Sequence, residues 1–147
     1  MSTVGAMATG SPRDVVIDAS VWVSRLLPQD VNHGVADSWV NRHIMSGGTF
    51  VAPTLLAIEI SASVFRRTRN TTDARGAVSQ LYALPIMRLA PMDQTLVNDA
   101  TDLAATLGLR GPDAVYVALA GQLRIPLVSL DAEQLTLASV LVHTIRP

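Results

Sequence analysis

Val15, Val16 and Ile17 run without polar alternation into Asp18, within the stretch RDVVIDAS from Arg13 to Ser20. Three β-branched side chains in a row favour extended backbone. A short run with no solvent-facing position reads as a strand buried on both faces, the habit of parallel sheets. Parallel strands need crossover connections, so an α/β fold is expected. An acid at the carboxyl end of such a strand stands where open α/β sheets build their sites. A purely local role also suits Asp18, because Asp and Ser both cap helices and a helix is expected to start here.

The remaining pattern alternates helix and strand. A short helix is expected over Val21–Leu27, limited by Pro28. An amphipathic helix over Asn32–Met45 follows, ended by Gly47–Gly48. Thr49–Ala52 is a second strand. A helix opening at Pro53 or Thr54 runs to about Asn70, with a first half apolar nearly all round and therefore expected to be buried. Helices over Asp73–Leu84, Pro91–Leu107 and Pro112–Leu123, with strands at Ile86–Leu89, Pro126–Leu130 and Val140–Ile145, complete the chain. A short helix lies between the last two strands. Met1–Pro12, small and polar, has no signal-peptide core and is expected to be a flexible leader. One domain is expected from Arg13 to Pro147.

Composition excludes several classes. With 147 residues, 49% of them hydrophobic and 16% charged, the chain can bury a sizeable core and is not disordered. There is no cysteine, so there is no disulfide framework, thiolate nucleophile or cysteine-based zinc site. That fits a reducing compartment, and a cytoplasmic location is expected. All eleven basic residues are arginine, which removes any mechanism that needs a lysine. A net charge of −1 is neutral as to nucleic acid, since acids committed to a cation would leave the rest of the chain basic. No membrane association is expected, because the most apolar window, Phe50–Phe65, is too short to span a bilayer and contains Pro53 and Glu59.

Three further acids invite the same question as Asp18. Asp131 follows the apolar run PLVSL, as Asp18 follows VVI. If the two strands are neighbours, these carboxylates face one another and must hold a proton or a cation. A cap on the following helix explains Asp131 equally well. Glu59 has Leu55, Leu56, Ala62 and Ser63 at helical spacing, so no local cation pairs with it. It needs a partner from elsewhere, unless it lies on a narrow exposed stripe with Ser63 and Arg66. Asp113, after Gly111–Pro112, stands in a first helical turn, where the dipole alone accounts for an acid.

In this order and at these spacings, the sequence resembles the PIN-domain nucleases, and among them the single-domain VapC-type toxins of toxin–antitoxin pairs. The matching pieces are VVIDASVWV, TLLAIEISASVFR, GPDAVYVALA and IPLVSLDAEQL, and together they span nearly all the chain after the leader. The resemblance implies a three-layer α/β/α domain with a mainly parallel sheet in the order 3-2-1-4-5, which makes the first and fourth strands neighbours. It implies a metal-dependent endoribonuclease, hydrolysing RNA by metal-activated water. Asp18 and Asp131 would hold a principal Mg²⁺ or Mn²⁺, with Glu59 and Asp113 on a second ion or its waters. Its implied partners are RNA, a cognate VapB-like antitoxin and a second copy of the chain in a homodimer.

Ser20 and Ser129 are candidate polar neighbours of this site, though a helix cap and an inward-facing strand residue are the plainer roles. Glu133, near the place of a fifth family acid, is expected on a helix surface. His33, His43 and His143 have no ligand spacing and are expected at the surface, and Trp22 and Trp39 in the core or an interface. Arg66, Arg67, Arg69 and Arg75 either track a phosphate backbone or form a solvated helix end. A receiver-type phosphoacceptor would need an acidic pair after the first strand and a lysine, and a haloacid-dehalogenase-type phosphatase an Asp two residues after the first; neither is present. The remaining alternative is a PIN-like RNA-binding or RNA-processing module that is not a toxin or is catalytically inactive.

Overall fold

The structure, a computed structural model, describes residues 13–147. The expected leader lies outside them. Five strands form one sheet: β1 (Asp14–Ile17), β2 (Thr49–Pro53), β3 (Met87–Ala90), β4 (Leu127–Val128) and β5 (Thr144–Ile145). Their order is β3-β2-β1-β4-β5, and every pairing is parallel. Seven helices supply the crossovers: α1 (Ala19–Leu26), α2 (His33–Met45), α3 (Leu55–Thr68), α4 (Thr71–Ala83), α5 (Gln94–Leu107), α6 (Gly111–Leu123) and α7 (Ala132–Ala138). The result is the expected three-layer α/β/α arrangement, with a wholly parallel sheet.

The core follows from the apolar runs. Val16 and Ile17 of the central strand are fully buried, as are Phe50 on one neighbour and Leu127 and Val128 on the other. Trp22 of α1 meets Phe50 edge-on, with ring centroids 5.6 Å apart, and is a core residue. Helix α6 is buried at every position from Ala114 to Ala120. Its small side chains let it lie close along β1, β2 and β4.

Helix ends shift by a few residues from the expected bounds, for identifiable reasons. Helix α5 starts at Gln94 because the Asp93 side chain caps it, accepting from the Leu96 N–H at 2.9 Å. Helix α3 stops at Thr68 because Arg69 adopts a left-handed conformation, φ 56°. The first half of α3 is not buried all round: Ile58 is 68% exposed. The last strand is only Thr144–Ile145, and Val140 and Leu141, expected within it, are exposed. The fourth is likewise confined to Leu127–Val128. His143 is at the surface as expected, but His33 and His43 are half-buried. Their rings hydrogen-bond the Ser24 and Thr49 carbonyls, and Trp39 stacks on His43. Among the described residues no helix is long and apolar enough to cross a membrane.

Leu127 is fully buried where β4 pairs with β1. Leu127→Ala should therefore cost about 2–5 kcal/mol, read as a lowered midpoint in urea unfolding.

Candidate active site

The site grows from the register of β1 and β4. Val16 pairs with Leu127 and Ile17 with Val128, and the Asp18 N–H donates to the Val128 carbonyl at 2.9 Å. Asp18 and Ser129 thus leave adjacent strands side by side. Asp18 is extended and helix α1 begins at the next residue, so its carboxylate becomes the N-cap. Oδ2 accepts from the Ser20 N–H at 3.0 Å and faces the Ser129 hydroxyl at 3.3 Å. Oδ1 accepts from Gln134 Nε2 at 3.3 Å. The side chain is almost wholly buried, at 5% exposure.

Asp131 caps α7 in the same way, accepting from the Gln134 N–H at 3.1 Å. The cap and site readings of Asp18 and Asp131 are therefore compatible: each helix N-terminus favours negative charge where its strand ends. Ser20 is not the cap it was expected to be. The chain turns helical one residue after Asp18, which leaves Ser20 in the first turn. Its hydroxyl instead accepts from the Leu130 N–H at 3.0 Å and lies 3.3 Å from Ser129 Oγ.

Ser129 and Gln134 are both buried. The Ser129 hydroxyl accepts from the Asp131 N–H at 3.0 Å and has its closest acceptor in Gln134 Oε1, at 2.7 Å. Gln134 Nε2 reaches both the Asp18 carboxylate and the Asp113 carbonyl, the latter at 3.4 Å. Those two partners offer only lone pairs, which fixes the amide orientation. Sequence inspection passed over Gln134. Its only sequence signal is an uncharged polar residue one helical turn past an acid, and such residues are usually exposed.

Glu59, on α3, is half-buried and finds its partner across the molecule: the Tyr116 hydroxyl donates to Oε1 at 2.7 Å. Burial pushes the Glu59 pKa up, the Tyr116 hydrogen bond opposes this, and the charges of Asp18 and Asp113 add to the rise. Burial and the Glu59 charge push the Tyr116 pKa well up, so the hydroxyl stays protonated. Asp113, half-buried on α6, has its pKa pushed up to about 6, by burial first and then by Asp18 and Asp131, against relief from Arg110. All four acids line one cleft of about 420 Å³. Glu133 is exposed on α7, as expected.

Asp30 and Arg67 also line this cleft and form an ion pair, Nη1 to Oδ2, at 3.0 Å. Burial would raise the Asp30 pKa. Hydrogen bonds from the Asn32 N–H, Ser24 and Arg67, with the Arg67 charge, bring it below its ordinary value.

The donor set is all oxygen and dense in negative charge, as hard divalent cations require. No ion pair is present at the four acids among the described residues; Arg110 acts on Asp113 through its charge alone. Nor do any three His, Cys, Asp or Glu side chains there stand ready to hold an ion as they are. All four line one cleft, and Tyr116 engages Glu59 there. The residues fit such a cation in kind and location.

A parallel sheet ordered 3-2-1-4-5, with acids gathered beyond the carboxyl ends of its central strands, defines an α/β protein built on the usual topological rule. The family model described as PIN domain matches residues 15–140, and the chain belongs to that family. VapC20 of Mycobacterium tuberculosis, a sarcin–ricin loop cleaving toxin, superposes with TM-score 0.72 at 16% identity, over 90% of this chain and 99% of that one. VapBC2 of Rickettsia felis, bound to a DNA fragment from its promoter, gives TM-score 0.67 at 9% identity, over 90% and 98%. VapBC-5 of M. tuberculosis, from the VapBC family of toxin–antitoxin systems, gives TM-score 0.58 at 20% identity, over 92% and 100%. No curated protein sequence matches the chain.

Because the Asp113 pKa lies above its ordinary 3.8, the folded state binds the proton more tightly than the unfolded chain. Stability present at low pH is thus lost as pH rises towards and through about 6. In EDTA, Asp113→Asn should melt higher than the parent at pH 7 and show little advantage at pH 4. An equal difference at both pH values would contradict the burial and repulsion described. Gln134→Leu removes three side-chain bonds at once and leaves the Asp18 carboxylate short of a donor. It should cost about 2–4 kcal/mol in chemical denaturation, whereas Glu133→Leu should change little.

Proposed function

We propose that the chain is a metal-dependent endoribonuclease, the toxin of a type II toxin–antitoxin pair. The observation that carries this reading is the delivery of Asp18, Glu59, Asp113 and Asp131, from four separate segments, to one cleft. Membership of the PIN family supports it, as does the likeness in fold to VapC20 and to VapBC complexes. Those likenesses also support a VapB-like antitoxin as partner. The rest of the proposal is a homodimer that acts on cytoplasmic RNA.

Asp18 and Asp131 would hold the principal Mg²⁺ or Mn²⁺, and Glu59 and Asp113 a second ion or coordinated waters. A bound ion supplies water activation and charge neutralisation at the phosphodiester. The chain's own share is orientation. The Ser20 N–H and Gln134 amide hold Asp18 at fixed angles, so one ligand is set before any ion arrives. Tyr116 orients Glu59 by a single hydrogen bond. Asp113, with a pKa of about 6, is largely ionised at neutral pH, and its charge is relieved when positive charge enters the cleft.

Purified protein should cleave a structured RNA, such as a sarcin–ricin stem-loop, with Mg²⁺ or Mn²⁺ and not in EDTA. Asp18→Asn and Asp113→Asn should each reduce cleavage by about a hundredfold or more, and Mn²⁺ should raise the melting temperature of the parent more than that of either variant. RNA binding without cleavage at any divalent ion concentration would support an inactive PIN-like module instead.

A further inference from the structure

Among the described residues that line the acidic cleft, Arg67 is the one cation; Asp18, Asp30, Glu59, Asp113 and Asp131 are all acids. A polyanion entering such a cleft meets repulsion unless a cation receives it. Arg67 sits in the last turn of α3, and its Nη1 reaches Asp30 Oδ2 in the segment between α1 and α2. The two ends of this pair differ. Asp30 is anchored: its side chain is 9% exposed, and Oδ1 accepts from the Asn32 N–H at 2.8 Å. Arg67 is 55% exposed and makes one contact, through Nη1. A guanidinium carries five N–H donors in a fork that suits a phosphate. A purely structural staple would engage more of them, and an exposed single-contact pair is weak. Arg66, its neighbour on α3, bonds Ser63 and does not line the cleft.

We propose that Arg67 holds an RNA phosphate at the wall of the cleft, and that Asp30 parks its guanidinium there until RNA displaces it. This rests on the endoribonuclease reading. Arg67 is then a substrate-positioning residue, and Asp30 acts on RNA through it in addition to adding its charge to the cleft.

The test measures the affinity of a fluorescent single-stranded RNA oligonucleotide across salt concentrations, with Mg²⁺ present. An Asp113→Asn background keeps the RNA intact. Arg67→Gln should weaken binding roughly three- to tenfold and lower the slope of log affinity against log salt by about 0.7–1. Arg67→Lys should keep most of that slope, and Arg66→Gln should leave both readings near the parent's. Asp30→Asn should tighten binding several-fold when Arg67 is present and distinctly less in the Arg67→Gln background. In the otherwise intact enzyme, Arg67→Gln should raise KM with kcat little changed. Arg67→Gln no weaker than Arg66→Gln, or an Asp30→Asn gain equally large with and without Arg67, would overturn the proposal. If such variants fail while the parent binds and cleaves RNA, only the role of Arg67 falls. If the parent neither binds nor cleaves RNA, the endoribonuclease reading falls and takes this role with it.

Discussion

The carboxylate of Asp18 is buried where the central strand meets its first helix, and the arrangement of the upper sheet follows from keeping it there. Taking an ionised carboxylate out of water costs several kcal/mol unless donors replace the water. Here they come from the first turn of α1 and from α7, where the Gln134 amide is in turn held by the Ser129 hydroxyl after β4. They can meet only if β1 and β4 are adjacent and parallel and α7 folds back over the end of β4. Ser129 and Gln134 therefore link β4, α6 and α7 to Asp18. The same atoms that satisfy the buried charge hold the sheet order at its functional edge.

Around this rigid point the charge is arranged unevenly. Asp18 and Asp131 sit on helix N-termini with backbone N–H donors. Glu59 and Asp113 have no such cap, and burial and their neighbours push both pKa values up. One half of the cleft is thus organised in advance and the other is under electrostatic stress. Such a site gains when positive charge enters, since desolvation and like-charge repulsion are relieved together. The Asp30–Arg67 pair adds a movable positive group to the same wall.

The long elements were legible because helical periodicity and buried apolar runs are local patterns. Helix α6 is the clearest case: a helix was expected over Pro112–Leu123, and it runs Gly111–Leu123, buried from Ala114 to Ala120. The short elements were less legible. Pro126–Leu130 and Val140–Ile145 have strand-like composition, yet only two residues of each pair in the sheet. Pairing is decided by the neighbouring strand, not by propensity. Ile58 misled for a related reason: an apolar residue next to a buried face need not itself be covered. His33 and His43 carried no signal of their half-buried state, since their partners are backbone carbonyls.

By itself the sequence determined the α/β class and the alternation that demands a parallel sheet, because those rest on composition and spacing along the chain. It also singled out Asp18, Glu59 and Asp131 as acids in need of partners; the resemblance joined Asp113 to them as a candidate site. Resemblance added the strand order. Only the tertiary structure decided how the acids are held. That Asp18 both caps α1 and lines the cleft, that Ser20 is not the cap, that Glu59 answers to Tyr116 57 positions away, and that Gln134 lies at the centre of the network are all facts of packing. The physical reason is the range of the forces involved. Backbone preference acts over a few residues, whereas satisfying a buried charge recruits whichever donors the fold brings within about 3 Å.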